Sequence, residues 1–104
     1  GIYSMKIEEF QRLIEETYYA KDAGRGWHET FIWFVEEVGE LGRALRSQPR
    51  EQVESEFADV FAWLSTLASI HGVDLAAAAQ KKYGNGCPKC SSIPCKCAER
   101  KQVI

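Results

Sequence analysis

Apolar residues recur along this chain at the spacing of helices. From Met5 to about Lys21 the positions Phe10, Leu13, Ile14 and Thr17 or Tyr18 lie three or four residues apart, which predicts a first helix with Ser4 as its N-cap. Asp22-Ala23-Gly24-Arg25-Gly26 has two glycines and no periodicity, so it reads as a connector to the aromatic segment that starts at Trp27. A second helix is expected from there to about Arg46. Ser47-Gln48-Pro49 breaks the pattern, and Pro49, which has no N–H to leave unpaired, suits the first position of a third helix ending near His71. Gly72 is a natural stop and Asp74 a natural N-cap for a short alanine-rich helix from Leu75 to about Lys82, closed by Gly84. No segment alternates with a period of two between hairpin turns. The expected fold is all-α, a four-helix bundle.

Projection at roughly 100° per residue separates two stripes on each of the central helices. On the second helix Phe31, Phe34, Val35, Val38, Leu41, Gly42 and Leu45 form an expected core stripe, and Trp33, Glu37, Glu40 and Ala44 lie beside it. On the third, Val53, Phe57, Val60, Phe61, Leu64, Leu67 and Ala68 form the core stripe, with Glu56, Asp59, Trp63 and Ile70 alongside. The short connection around Pro49 favours an antiparallel pair, which would bring the carboxylates together at the edge of the core. Taken singly, each carboxylate is most simply a solvated surface charge. Together they form a pattern that solvated faces rarely show, because both stripes contain a tryptophan and neither contains Lys or Arg.

Carboxylates held about 4 Å apart repel by roughly 1 kcal/mol in bulk water and more near a protein surface, so they call for a cation or raised pKa values. Mg²⁺ (or Mn²⁺) is the fitting cation, a hard ion that bridges oxygen ligands to phosphates. Net charge of -2 argues against a nucleic-acid partner and leaves a nucleotide substrate open. With 104 residues and 45% hydrophobic content the chain suits one core, while the segment from Cys87 differs enough in composition to be an appendage. Two parts are therefore expected, a helical domain over 1–86 and a tail over 87–104. No apolar run approaches the length of a membrane span and no secretory leader is recognisable, which leads to the expectation of a cytoplasmic protein without a membrane partner.

Glu36-Glu37-Val38-Gly39-Glu40-Leu41, followed after the spacer Leu41 to Ser55 by Glu56-Phe57-Ala58-Asp59, resembles the EExxE and ExxD signature of the all-α MazG nucleotide pyrophosphohydrolases. The resemblance covers Trp27 to Tyr83, and the combined motif in its helical setting is more specific than either half. It implies that Glu37, Glu40, Glu56 and Asp59 hold Mg²⁺ and that water attacks the α phosphorus of a nucleoside triphosphate, releasing a monophosphate and pyrophosphate. It also implies an assembly of at least two copies, in keeping with the amount of apolar surface on four helices. Glu36 matches the first glutamate of the motif but projects partly away, where a salt bridge to Arg43 is an equal alternative. Trp33 and Trp63 are placed either to stack on a base or to pack in the core. Lys81, Lys82 and Asn85 fall near positions where the family carries phosphate- or sugar-binding residues, with altered spacing, and Arg25 is a further candidate to neutralise the triphosphate. His28 and His71 are expected to be structural. The reading from another class is a non-catalytic helical adaptor, clipped by zinc, that binds nucleotides or a protein.

All four cysteines crowd into Cys87-Pro88-Lys89-Cys90 and Cys95-Lys96-Cys97. Clustering of this kind favours a metal over a disulfide framework spread through a secreted fold, and four thiolates can enclose one tetrahedral ion. Structural Zn²⁺ is the expected occupant. Two local disulfides, an iron–sulfur cluster or a reactive tail are the competing readings.

Overall fold

The computed structural model describes residues 4–99, which contain four helices and no strand: α1 (Ile7–Arg25), α2 (Trp27–Ser47), α3 (Arg50–Ile70) and α4 (Leu75–Tyr83). Lys6, not Ser4, stands at the N-cap of α1, and its amide donates to Glu9 Oε1 at 3.1 Å. The expected connector Asp22–Gly26 shrinks to one residue, because α1 continues through Asp22 to Arg25. A glycine inside a helix costs about 1 kcal/mol relative to alanine. Here Gly24 lies in a last turn that is held by the ion pair between Arg25 and Asp22. The chain then turns at Gly26, whose φ of 84° and ψ of 164° are accessible to glycine and strained for other residues. Thr30 fastens the corner: its hydroxyl donates to the Gly26 carbonyl at 2.9 Å and accepts from Arg25 Nε at 2.8 Å.

Gln48 and Pro49 link α2 to α3. Pro49 is the N-cap of α3, one position earlier than expected, and its carbonyl accepts the amides of Gln52 and Val53. Past Gly72, at φ 68°, α4 leaves α3 at 95° and packs against α1. Asp74 caps α4 as expected, accepting from the Ala77 amide at 3.0 Å.

The interior is built from small and polar side chains to an extent that the apolar pattern does not predict. Ala44 and Ala68 are buried, and so are Gln11, Thr30, Ser65 and Thr66. The rings of Phe10 and Phe61 stack at 4.7 Å between α1 and α3. Of the expected core stripes, Phe34, Leu41, Val53, Val60, Phe61 and Leu67 are half-buried, whereas Phe31, Val35, Val38, Gly42, Leu45, Phe57 and Leu64 are exposed in the single chain. The reason is a rotation of α2. Its inward face runs Thr30, Phe34, Glu37, Leu41 and Ala44, at alternating spacings of four and three, so Phe31, Val35, Val38 and Leu45 beside it are left outside.

Gln11 ties three elements together. Its Nε2 donates to Ser69 Oγ at 3.1 Å and to the Val73 carbonyl at 2.8 Å, and its Oε1 accepts the Leu75 amide at 2.9 Å, satisfying a donor at the start of α4. Replacing Gln11 with Leu keeps the volume and strands these partners. Urea unfolding of Gln11→Leu is expected to show a loss of about 1–3 kcal/mol; an unchanged midpoint would remove the network from the account of stability.

Candidate active site

Glu37 lies on the inward line of α2, one turn after Trp33, while Glu56 and Asp59 lie one turn apart on α3, one turn before Trp63. Because α3 folds back along α2, one carboxylate oxygen from each of Glu37, Glu56 and Asp59 comes within 4.8 Å of the others. Glu37 and Glu56 are half-buried and Asp59 is exposed. Glu56 Oε1 accepts from Gln52 Nε2 at 2.8 Å, but Oε2 is buried and has no partner. Such an acceptor is costly to leave unpaired. Among the described residues, none of the three carboxylates makes a salt bridge. Burial, followed by the charges of Asp59, Glu56, Glu40 and Glu36, raises the pKa of Glu37 above its ordinary value. An electron-rich group of oxygens with an orphaned acceptor and no side-chain cation fits a hard divalent ion.

Glu40 and Glu36 stand apart from this group. Glu40 is exposed and its Oε2 meets Arg43 Nη2 at 2.5 Å, so Arg43 is engaged by Glu40 and the alternative pairing with Glu36 is not made. Four converging carboxylates were expected; three converge, because Glu40 lies far enough round α2 to reach Arg43 one turn on. Glu40 and Glu56 still border one small cleft of about 140 Å³ at the end of the helical pair.

A cavity of about 290 Å³ adjoins the carboxylates, with Asp59 in its wall beside Trp33, Trp63, Tyr18, Lys21 and Asp22. Trp33 and Trp63 meet edge to face, with ring centroids 5.4 Å apart at 88°. The guanidinium of Arg25 lies over both rings, at 4.8 and 5.0 Å from their centroids, and is also held by Asp22 and Thr30. The two indoles therefore do not form the open stacking platform considered from sequence; they cradle a cation at the edge of a cavity. Arg25 is correspondingly anchored by its own neighbours. Of the share of α1 in this wall, the sequence reading names only Arg25. Tyr18, Asp22 and Arg25 follow one another at helical spacing and would have shown it, had Gly24 not been taken as a break.

Lys81, Lys82 and Asn85 do not join the site. They sit in and just beyond the last turn of α4, which packs on α1, and none lines a cavity that Asp59, Glu37 or Glu56 lines. Lys82 lies over the ring of Tyr83 instead, at 5.6 Å. His28 and His71 both pack on Trp27, at centroid distances of 3.7 and 5.6 Å.

Below α4, the sulfurs of Cys87, Cys90, Cys95 and Cys97 also lie within 4.8 Å of one another. The backbone N–H of Lys96, aimed at Cys90 Sγ, is the main cause that brings the Cys90 thiol down to about 6. Hydrogen bonding with Cys95, then with Cys90 and Cys87, pushes Cys97 up to about 12. The cluster therefore gives up a first proton readily and holds a later one firmly, as expected of thiols that share protons.

The family model of the MazG nucleotide pyrophosphohydrolase domain matches residues 26–91 of the chain. No curated protein matches it.

The raised pKa of Glu37 fixes the sign of a pH effect in metal-free protein. The folded state holds the Glu37 proton more tightly than the unfolded state, so this group's contribution falls as pH rises from the ordinary value of 4.5 through the raised one. In EDTA, Glu37→Gln is expected to melt above the parent at neutral pH, with the difference closing as the pH is lowered past that window. Thermal unfolding at a series of pH values measures it, and a variant that melts below the parent throughout would contradict the assignment.

Proposed function

Because the chain belongs to the MazG nucleotide pyrophosphohydrolase family, we propose that it hydrolyses (deoxy)nucleoside triphosphates to the monophosphate and pyrophosphate in a reaction that depends on Mg²⁺ or Mn²⁺. The observation that carries this reading is the buried Oε2 of Glu56, without a partner among the described residues and grouped with Glu37 and with Asp59, which lines a cavity large enough for a base. Glu37, Glu56 and Asp59 would hold the divalent ion, and Glu40, one turn on from Glu37 and paired with Arg43, would be a further oxygen donor beside them. When bound, the ion supplies positive charge to phosphate oxygens and acidifies water. The remaining work is positioning. Glu37 and Glu56, half-buried on two packed helices, keep their carboxylates in fixed relation, so little reorganisation accompanies substrate entry. Trp33 and Trp63, edge to face with Arg25 over both, give the cavity an aromatic wall with a positive edge, against which a nucleobase and its sugar can pack. In the reaction the water oxygen bonds to the α phosphorus and gives up a proton to solvent, the bond from that phosphorus to the bridging oxygen breaks, and pyrophosphate leaves with the electron pair. No side-chain nucleophile is required.

The same reading includes a second copy of the chain. The stripe of Phe31, Val35, Val38 and Leu45 supplies apolar area for an isologous contact between copies.

Incubation with Mg²⁺ and a panel of nucleoside triphosphates, with chromatographic separation of products, tests the activity. Monophosphate and pyrophosphate are expected, abolished by EDTA and reduced about 10²-fold or more by Glu56→Gln or Glu37→Gln in folded protein. Stoichiometric retention of nucleotide without product would replace the enzyme with a binding module. Light scattering on the parent and on Val38→Glu tests the assembly: the parent is expected to be a dimer or larger and the variant smaller, and a monomeric parent would refute it.

A further inference from the structure

The four-cysteine segment takes no part in the site above, and its geometry carries a conclusion of its own. Residues 84–97 follow α4 as a compact loop. The Gly86 amide donates to the Tyr83 carbonyl at 2.9 Å, Ser91 to Cys87 at 2.7 Å, and Cys87 to Ser92 at 3.1 Å. Gly86 has a φ of 94°, and a Cβ there would come within 2.5 Å of Ile93 Cγ1 and 2.7 Å of the Ser92 carbonyl, so the loop closes tightly on this residue. Apolar burial does not hold it together. Ile93, the largest apolar side chain of the loop, is 82% exposed, while the four sulfurs turn toward a common centre.

The spacing of those sulfurs suits a metal. A tetrahedral ion bound to thiolates at about 2.3 Å separates the sulfurs by about 3.8 Å. Here Cys87 and Cys97 are 3.8 Å apart and Cys90 and Cys95 are 4.0 Å apart, with every pair inside 4.8 Å. A disulfide requires about 2.05 Å. The amides of Lys96 and Cys97 donate to the sulfurs of Cys90 and Cys95 at 3.3 and 3.4 Å, bonds that stabilise charged sulfur. Four thiolates around a divalent ion carry two net negative charges, and the loop itself places Lys89 and Lys96 next to the ligands. Cys95 and Cys97 are exposed, an open setting that suits a redox-inert ion better than iron.

We infer that Cys87, Cys90, Cys95 and Cys97 form a structural tetrathiolate Zn²⁺ site that closes the segment after α4. This site is independent of the carboxylate centre and of the activity proposed for it. Zinc provides the cohesion that a loop without an apolar core lacks, and each thiol releases its proton to solvent on binding.

Full-length protein prepared under reducing conditions is expected to carry one zinc per chain by elemental analysis. After metal removal, cobalt added to the protein should give the visible bands of a tetrahedral thiolate complex, which zinc then bleaches. Cys95→Ser/Cys97→Ser should lose both signals while keeping its helical circular dichroism, and Glu56→Gln should keep both, which separates this site from the carboxylates. Trypsin supplies a second readout: zinc should protect Lys89 and Lys96 from cleavage, and its removal should expose them. Iron in place of zinc, a mass lighter by the hydrogens of two disulfides, or reduced thiols that fail to take up zinc would each overturn the inference.

Discussion

The packing of α2 against α3 with a carboxylate, Glu37, on the inward face is the constraint from which the rest of this structure follows. A bulky apolar residue in place of Glu37 would fill the space where Glu37, Glu56 and Asp59 converge. With Thr30, Glu37 and Ala44 on that face, the carboxylates are drawn into partial burial and the acceptor of Glu56 is left without a partner. Among the described residues, repulsion among like charges is then not relieved by a lysine or arginine pairing with the three. Crowding of this kind costs stability in the protein as it stands. The raised pKa of Glu37 is the visible sign of that strain.

The same rotation of α2 accounts for the exposed stripe of Phe31, Val35, Val38 and Leu45. A helix has one circumference, and assigning its inner face to the site pushes the apolar residues to the outer one. The position of Glu37 and the exposure of this stripe are thus two consequences of one packing choice. At the other end, Gly26 and Thr30 set the direction in which α1 meets the pair, and Arg25 reaches from that corner to both indoles. The cavity wall depends on a glycine conformation several residues away from any group that would touch substrate.

The cysteine loop solves a different problem. A stretch this short cannot bury enough apolar surface to offset the entropy of ordering it. Its chain bends bring four sulfurs inward and leave Ile93 outside. The two candidate metal centres are also complementary in chemistry, since oxygen donors select hard ions and thiolates select softer ones.

Periodicity along the chain was enough to establish four helices, the cap at Asp74, the stop at Gly72 and the break at Pro49, because these depend on local backbone preferences. The grouping of Glu56 with Asp59 on one face of α3, and the crowding of the cysteines, were legible for the same reason. Gly24 misled the reading of α1, since its intrinsic penalty is small and the contacts of Arg25 outweigh it. What local preferences do not carry is the rotation of one helix against another. A stripe of apolar residues identifies a face that avoids water, and both a partner helix and a second chain satisfy that demand. Only the tertiary structure decided that α2 turns Glu37 inward and Phe31 outward, that Glu40 pairs with Arg43, and that Lys81 and Lys82 leave with α4, because each outcome rests on contacts between residues far apart in sequence or on the direction of a whole helix.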